Sequence, residues 1–346
     1  TAPRNEAAGV DPSGDMIRQA FFMAIGVVVF VAASFVTDRQ WKGLAPYAYV
    51  GAILLLLVVL TPVGALRSGA QRWIPLGPID LQPSEVAKPA MILALASLLS
   101  ASESSKMRWS RIGQTLGLMA VPSALIFVQP DLGTMLVFGF VALVMLFVAG
   151  ASVRQIAVLL LGGLIVVVIA FQLDILKEYQ LDRLTGFLNS GEAELTLNYN
   201  QAQSQIAIAS GGLFGRGLSQ GTQTNGAFVP AQRTDFIFTA LAEQLGFAGS
   251  VAVLALFALV VWRLLMTAAA ARDRFGYLLS VGIAAMFVFH IFVNVGMTQR
   301  LMPVTGLPLP FMSYGGSFYL AMAASLGMVH SVWLRRSLVP GERFLF

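Results

Sequence analysis

The sequence predicts an all-α polytopic membrane protein, and the observations that predict it are its composition and the length of its apolar runs. Of its 346 residues, 57% are hydrophobic and only 11% are charged, whereas a soluble domain typically carries about a quarter charged residues. The charges form short clusters between long apolar runs, which is typical of loops between membrane spans. We therefore expect one membrane-embedded domain over residues 1–346.

Nine apolar runs approach the length of about 20 mostly apolar residues that a membrane helix needs. They cover residues 16–36, 45–60, 86–100, 112–128, 132–149, 155–171, 236–262, 275–297 and 313–334. The third run is short, and the fourth and fifth are separated only by Gln129-Pro130-Asp131. Two polar segments lie outside these runs: the start of the chain at 1–15 and a long loop at 172–235.

The distribution of lysine and arginine predicts the orientation, because cytoplasmic loops are enriched in both. One set of alternate connections is short and dense in positive charge, including those around Arg39, Lys106, Arg154 and Arg272 and the C-terminal tail. That set should be cytoplasmic, so the C-terminus is inside, and the segment 1–15 and the loop 172–235 are extracytoplasmic. An odd number of spans with an outside N-terminus suggests that an initial span is missing from this chain.

The composition also argues against several classes of site. The chain has no cysteine, which excludes disulfides, thiolate metal sites and cysteine nucleophiles. Its two histidines, His290 and His330, fall in different apolar runs, so a histidine-rich metal site is not expected. We expect each histidine to be buried and hydrogen-bonded, or interfacial. The net charge of +5 fits positive-inside loops rather than nucleic-acid binding.

Charged residues next to the spans gather in the predicted outer half of the membrane, where charges are costly and are functional candidates. These candidates are Arg72, Glu85, Lys88, Asp131, Asp235, Glu243 and Arg300. A transport pathway would more readily place polar residues near the membrane midplane.

Each candidate also has a purely structural interpretation. These are a helix cap at Thr234-Asp235, an (i, i+3) ion pair at Glu85 and Lys88, a turn or cap at Asp131, and an interfacial anchor at Arg72-Trp73. For Glu243, about two turns beyond Asp235, we expect pairing with a neighbouring span.

Six segments together resemble the SEDS family, the shape, elongation, division and sporulation proteins. They are GAQRW at residues 69–73, QPSEVAK at 82–88, QPDLGT at 129–134, QSQIAIASGG at 203–212, TDFIF at 234–238 and PVTGLPLPFMSYGG at 303–316. They occur in the family's order and spacing. Within the family the chain resembles the RodA-like elongation branch, because Gly221-Thr222-Gln223 precedes the Thr-Asp-Phe motif. A division-type paralogue is the alternative.

The resemblance implies a SEDS-type bundle of ten helices, of which the first is absent here. It implies a peptidoglycan glycosyltransferase in the bacterial inner membrane that polymerises lipid II on the outer side. The implied partners are a class B penicillin-binding transpeptidase, lipid II and membrane lipid, with no nucleic acid. The chain departs from the family at Pro230-Ala231-Gln232-Arg233, where Pro-Glu-x-His is usual. Any supporting role of that Glu and His is therefore in doubt.

Such a reaction needs a base for the acceptor hydroxyl, an aligned donor, and positive charge for the leaving polyprenyl pyrophosphate. The resemblance assigns the base to Asp235. Arg72 and Lys88 are the candidates for the pyrophosphate, because arginine offers a planar fork and lysine a point charge. The remaining substrate-binding candidates are Glu85, Asp131, Gln203, Ser204, Thr234 and Arg300. The sequence identifies no cofactor with certainty. A divalent cation such as Mg²⁺ or Mn²⁺ could share the leaving-group task, but no ligand set for it is visible.

Two other functions fit a chain of this kind: a flippase for the lipid-linked precursor and a non-enzymatic scaffold. The sidedness of the charges argues against both. We also expect the loop 172–235 to act as a lid, with hinge freedom supplied by Gly211, Gly212, Gly215 and Gly217. A passive tether between two spans is the alternative for this loop.

Overall fold

The computed structural model describes residues 12–67, 70–77, 79–101, 107–173, 199–226, 228–229 and 231–336. Most of the predicted polar start at 1–15 and much of the predicted loop at 172–235 therefore lie outside the described residues. The described helices are α1 Pro12–Phe35, α2 Asp38–Val59, α3 Pro83–Ser100, α4 Trp109–Val128, α5 Leu132–Val148, α6 Val153–Gln172, α7 Tyr199–Gly211, α8 Thr222–Asn225, α9 Ile237–Ala269, α10 Arg274–Thr298 and α11 Gly316–Leu334.

All nine predicted spans coincide with helices, so the prediction of a polytopic helical membrane protein is confirmed. Seven of the described helices are long and apolar enough to cross a membrane, and α5 is a shorter apolar helix. The remaining one, α3, carries Glu85 and Lys88 in its first two turns. Pro83 is the first residue of this helix. Proline suits this position because the first residue of a helix has no intrahelical acceptor for its N–H, so the missing N–H of proline costs nothing.

The chain folds as two compact units. Unit 1 is built mainly from Val153–Ala258 and His290–Tyr314, and unit 2 mainly from Arg18–Ser152, Leu259–Phe289 and the segment from Gly315 onward. Helices α9 and α10 each contribute residues to both units.

Helix α3 is the core of unit 2. It packs against α2, α4, α5 and α11, and its buried side chains include Met91, Ile92, Leu95 and Leu99. A helix that is apolar around most of its circumference is expected to be buried in this way.

A small antiparallel sheet, which the sequence analysis did not predict, connects α2 to α3. Its strands are β1 Ala65–Arg67, β2 Ala70–Leu76 and β3 Ile79–Leu81, in the order β1-β2-β3. Gly77 adopts φ +72° after β2, a conformation that glycine takes without steric cost. Strand β2 carries Arg72, one of the predicted pyrophosphate-binding residues.

Helix α9 is broken at Gly246, whose φ of 67° and ψ of −166° are not helical. Its 33 residues would extend about 50 Å as one helix, well beyond the roughly 30 Å hydrocarbon core of a bilayer. The predicted span over 236–262 coincides with α9, but the sequence did not predict the break within it. The run contains two helical pieces that meet at a glycine.

The break frees backbone groups of α9, and a glycine-rich segment satisfies them. Arg216 N and Gly217 N donate to the carbonyls of Glu243 and Gln244 at 3.0 and 3.1 Å. Phe247 N and Ala248 N donate in turn to the carbonyls of Gly212 and Leu213 at 2.9 and 3.0 Å. Non-helical backbone at membrane depth is tolerated only with such partners.

Two glycines of this segment, Gly211 and Gly215, lie in close contact with the backbone of α9, and the hinge role stays a prediction. A Cβ built on Gly211 would overlap the carbonyl of Ala242, and one on Gly215 would overlap that of Gln244. Gly215 also has φ +80°, where a Cβ is strained.

We expect Gly215→Ala to lower the melting temperature of the purified protein in detergent by several degrees, because the new methyl group must push two backbones apart. The matched control is Gly162→Ala on α6, where a Cβ meets nothing within 4 Å. The control should be neutral or slightly stabilising, since alanine is the better helix former. Equal melting temperatures for the two variants would contradict the close-packing role.

Candidate active site

Asp235, the predicted base, lies in a tight turn directly before α9. The amides of Thr234, Asp235 and Phe236 all donate to the carbonyl of Ala231, at 3.1, 3.1 and 3.3 Å. Ala231 has φ +52°, a left-handed conformation that non-glycine residues rarely adopt. Strained positions of this kind persist only where the surroundings hold them. The Asp235 side chain is half-buried.

The segment 306–314 holds this turn from the other side. The Ser313 hydroxyl donates to the Thr234 carbonyl at 2.6 Å and accepts from Leu309 N at 2.8 Å. Tyr314 N donates to the carbonyl of Arg233 at 2.9 Å. His290 is buried, with Nδ1 at 3.0 Å from the Pro308 carbonyl, which confirms the expectation for this histidine. The Thr-Asp-Phe motif and the segment 306–314, about 70 residues apart in sequence, are thus joined by hydrogen bonds.

Asn294 on α10 joins the two motifs at the candidate base itself. Its buried Nδ2 donates to the carbonyls of Asp235 and Leu307, both at 2.8 Å. A Cβ built on Gly306, which has φ +75°, would lie 3.5 Å from Asp235 Oδ2. The carboxylate therefore lies in van der Waals range of Gly306, whose positive φ favours glycine at this position. The sequence analysis missed Asn294, although a single amide in an apolar run could have indicated it.

Helix α7 carries the predicted residues Gln203 and Ser204. Ser204 is fully buried and contacts the Thr239 hydroxyl and the Thr298 carbonyl. Its neighbour Gln201, which the sequence analysis did not single out, donates to the carbonyls of Met297 and Met302 at 2.9 and 2.8 Å. These bonds give Ser204 a structural role, and its contact with substrate stays a prediction.

Gln203, Thr234 and Arg300 are the other predicted substrate-binding residues of unit 1. Gln203 is half-buried, and so is Arg300, which follows α10 with φ +60°. Thr234 donates its hydroxyl to the Ala231 carbonyl at 3.2 Å. The substrate-binding roles of these three residues stay predictions.

We expected Glu243 to pair with a neighbouring span, but its hydrogen bonds within the described part of the chain go to α7 and to the segment around α8. Its fully buried carboxylate accepts from the amides of Gln223 and Thr224, both at 2.8 Å. The hydroxyls of Thr222, Thr224 and Ser210 also point at it. Successive backbone N–H groups form an anion-binding concavity of this type. The Gly-Thr-Gln segment is therefore fixed to α9 two turns beyond Asp235.

Unit 2 brings together the predicted residues Arg72 and Asp131. Arg72 Nε donates to the Gln129 carbonyl at 2.8 Å, and its Nη2 donates to that of Pro130. Asp131 caps α5 by accepting from Thr134 N at 3.2 Å, and it also accepts from the Ser84 hydroxyl at 3.1 Å. The structural interpretation of Asp131 as a helix cap is confirmed. These bonds use two of the five N–H donors that an arginine offers.

Glu85 and Lys88 form the (i, i+3) ion pair, with 2.6 Å between Oε2 and Nζ. Both residues are buried, and Nζ lies 5.2 Å from the ring centroid of Phe318. Removing one partner of a buried pair leaves an uncompensated charge and typically costs about 3–5 kcal/mol. A role for Lys88 at the pyrophosphate therefore stays a prediction.

The described residues contain no group of three or more His, Asp or Glu side chains placed to hold a metal ion. Magnesium bound to phosphates usually needs only one or two carboxylates from the protein. The prediction that Mg²⁺ or Mn²⁺ assists the leaving group is compatible with such sparse ligation, and it stays a prediction.

Comparison with known proteins supplies relatives over almost the whole chain. Residues 4–337 match the FtsW, RodA and SpoVE family, which is described as a family of cell cycle proteins. The chain is 38% identical over 335 residues to the peptidoglycan glycosyltransferase MrdB of Escherichia coli (strain K12), covering 96% of this chain and 89% of the relative. It is 38% identical over 317 residues to stage V sporulation protein E of Bacillus subtilis (strain 168), covering 91% and 86%.

Two solved structures share the fold. One comes from a study of structural coordination of polymerization and crosslinking by a peptidoglycan synthase complex. Its sequence is 33% identical to this chain, the TM-score is 0.80, and the alignment covers 95% of this chain and 92% of that one. The other is the rod shape determining protein RodA of Thermus thermophilus, which is 31% identical, with a TM-score of 0.69 and coverage of 97% and 92%. The chain therefore belongs to the FtsW, RodA and SpoVE family of cell cycle proteins, the SEDS family.

Proposed function

We propose that the protein is a RodA-like peptidoglycan glycosyltransferase that polymerises lipid II during cell elongation. The observation that carries the proposal is the fixed position of Asp235: its backbone is held by Asn294 and by the turn bonded to Ser313, and its carboxylate lies beside Gly306. The similarity to MrdB over most of the chain supports the same activity.

In the proposed reaction Asp235 takes the proton of the acceptor sugar hydroxyl as its oxygen attacks the anomeric carbon of the donor. A new glycosidic C–O bond forms while the bond to the polyprenyl pyrophosphate breaks. The electron pair leaves with the pyrophosphate, and a single displacement inverts the anomeric centre. The leaving group is already activated, so a second carboxylic acid of the glycosidase type is not required.

The leaving pyrophosphate needs positive charge, and we assign this role to Arg72 and Lys88. Two donors of Arg72 hold the α4–α5 turn, which fixes the plane of its guanidinium. Glu85 fixes Lys88. Gln203, Thr234 and Arg300 would contact the substrate. A divalent cation, if it is bound, would neutralise part of the pyrophosphate charge.

We also propose the setting in which the protein works. It spans the bacterial inner membrane, with the C-terminus in the cytoplasm and Asp235 facing outside, because positive charge is concentrated in alternate connections. Its partner would be a class B penicillin-binding transpeptidase, and the similar chain from a peptidoglycan synthase complex that couples polymerization to crosslinking supports this partner. A flippase or a scaffold needs no held carboxylate, and polymer formed from labelled lipid II in detergent distinguishes the enzyme from both.

Asp235→Asn should reduce lipid II polymerisation by at least about 10²-fold, the usual contribution of a general base. Asparagine keeps the shape of the side chain but cannot take the proton. Polymer length and rate are measured on labelled lipid II with purified protein and its transpeptidase partner.

The matched control is Asp273→Asn, since Asp273 accepts from Gly276 N at 2.8 Å at the start of α10 and asparagine caps equally well. Both variants should melt like the parent protein. Parental turnover by Asp235→Asn would exclude Asp235 as the base.

The contribution of Lys88 can be separated from its ion pair by removing both charges. Glu85→Gln combined with Lys88→Met leaves no uncompensated charge in the buried site, so the double variant should fold. We expect its polymerisation rate to fall by about 10²-fold, as when one stabilising donor is lost from a transition state. Normal turnover by a well-folded double variant would show that the pair is only structural.

Asn294→Leu should lower kcat with little change in KM, because it releases the backbone of Asp235 without touching the substrate. The expected loss is about 10-fold to 10²-fold, the size that a misplacement of about 1 Å can cause. The control on the same helix is Ser280→Ala, which removes a buried hydroxyl that has no hydrogen-bond partner among the described residues. If Asn294→Leu and Ser280→Ala have the same kcat, Asn294 does not position the base.

A further inference from the structure

A groove of about 490 Å³ lies within unit 2, between α1, the last third of α9 and α11. Its walls are apolar and include Phe30, Leu259, Leu326 and Val329. Leu259 is 54% exposed, so the groove opens onto the outer surface of the helices rather than into a closed core. The proposed reaction uses none of these residues.

One end of the groove carries an arginine inside a membrane helix. Arg263 lines the groove and lies six residues before the end of α9, which corresponds to about 9 Å of helix. Its side chain is exposed, and among the described residues it makes no ion pair. A charge at this depth is costly unless a counter-ion accompanies it. The described protein supplies none.

A second cation lies at the same end. Trp333 lines the groove, and the guanidinium of Arg336 stacks on its ring at 3.7 Å from the centroid. The neighbouring Arg335 is occupied differently, since it donates to the carbonyls of Ser34 and Phe35 at 3.3 and 2.8 Å. Arg336 also donates from Nη1 to the Trp333 carbonyl at 2.8 Å, which holds its guanidinium beside the groove-lining ring. Arg263 in the lining and Arg336 next to Trp333 are therefore the two cations of our proposed site.

We propose that this groove is a binding site for an anionic phospholipid of the cytoplasmic leaflet. The phosphate lies between Arg263 and Arg336, and one acyl chain follows the apolar wall from Leu259 to Phe30. Trp333 lies at the level of the headgroup, where tryptophan is favoured. Basic pockets between membrane helices on the cytoplasmic side bind acidic lipid headgroups in this way.

The chemistry of the groove favours a phospholipid over the other occupants. A small inorganic anion would leave the apolar walls uncovered. A hydrophobic helix would cover them but would bury Arg263 without a counter-ion, at a cost of several kcal/mol. Only an amphiphile with an anionic head satisfies both ends. The site lies at the end of α9 nearest Arg272 and Arg274, in a connection that the charge distribution predicts to be cytoplasmic.

The test is lipid binding to the delipidated full-length chain in detergent. Dioleoyl phosphatidylglycerol should raise the melting temperature and, by native mass spectrometry, bind at least tenfold more tightly than dioleoyl phosphatidylcholine. Arg263→Gln should abolish this preference. Leu326→Trp should fill the groove and weaken binding of both lipids. The matched control Arg154→Gln removes another exposed arginine, at the start of α6, and should keep the preference.

Each contrary outcome overturns the proposal. Equal binding of the two lipids, or an unchanged preference in an Arg263→Gln variant that melts like the parent without lipid, excludes an anion site at Arg263. Displacement of phosphatidylglycerol by equimolar polyprenyl monophosphate would identify the groove as a polyprenyl site instead. Because lipid binding is the readout, these results are independent of the polymerisation assays on Asp235.

Discussion

The backbone hydrogen bonds at the break in α9 are the constraint on which the candidate site of unit 1 depends. Gly246 interrupts the helix, and the segment from Gly212 to Gly217 satisfies the four groups that the interruption exposes. In an apolar environment each unsatisfied group would cost several kcal/mol. The glycine segment must therefore lie against α9, and this fixes where the chain enters the Gly221–Asn225 region and the turn that carries Asp235.

Buried charges follow the same rule of local satisfaction. Glu243 is held by amides and hydroxyls, Lys88 by Glu85, and Asp131 by Ser84 and Thr134. These networks leave the charged groups few alternative arrangements, which is the pre-organisation that electrostatic catalysis requires. Asp235, the proposed base, is only half-buried, which leaves its carboxylate accessible for the proposed proton transfer. In the groove, by contrast, the described protein leaves Arg263 without a counter-ion, which is why we assign that position to a ligand.

The helical membrane architecture could be predicted from the amino-acid sequence alone, because apolar runs of this length are typical of membrane helices. It also indicated the polar positions worth attention, since a charge next to a membrane span needs a reason to be there. Motif resemblance assigned the base to Asp235 and the family to the chain. The ion pair of Glu85 with Lys88 and the cap at Asp131 followed from spacing alone, because neighbours three residues apart meet on a helix.

Which distant residues meet became clear from the packing of the helices. The sequence could not reveal that Asn294 holds the carbonyl of Asp235 or that Thr224 binds Glu243, because these contacts depend on how helices pack rather than on local spacing. The sequence suggested hinge freedom at Gly215, and the structure shows close backbone packing there. Sequence alone does not distinguish the two, because glycine is favoured both at flexible positions and where backbones approach closely. The apolar composition likewise predicted a single span for α9. A single glycine such as Gly246 leaves the hydropathy of the run nearly unchanged, although the backbone is not helical there.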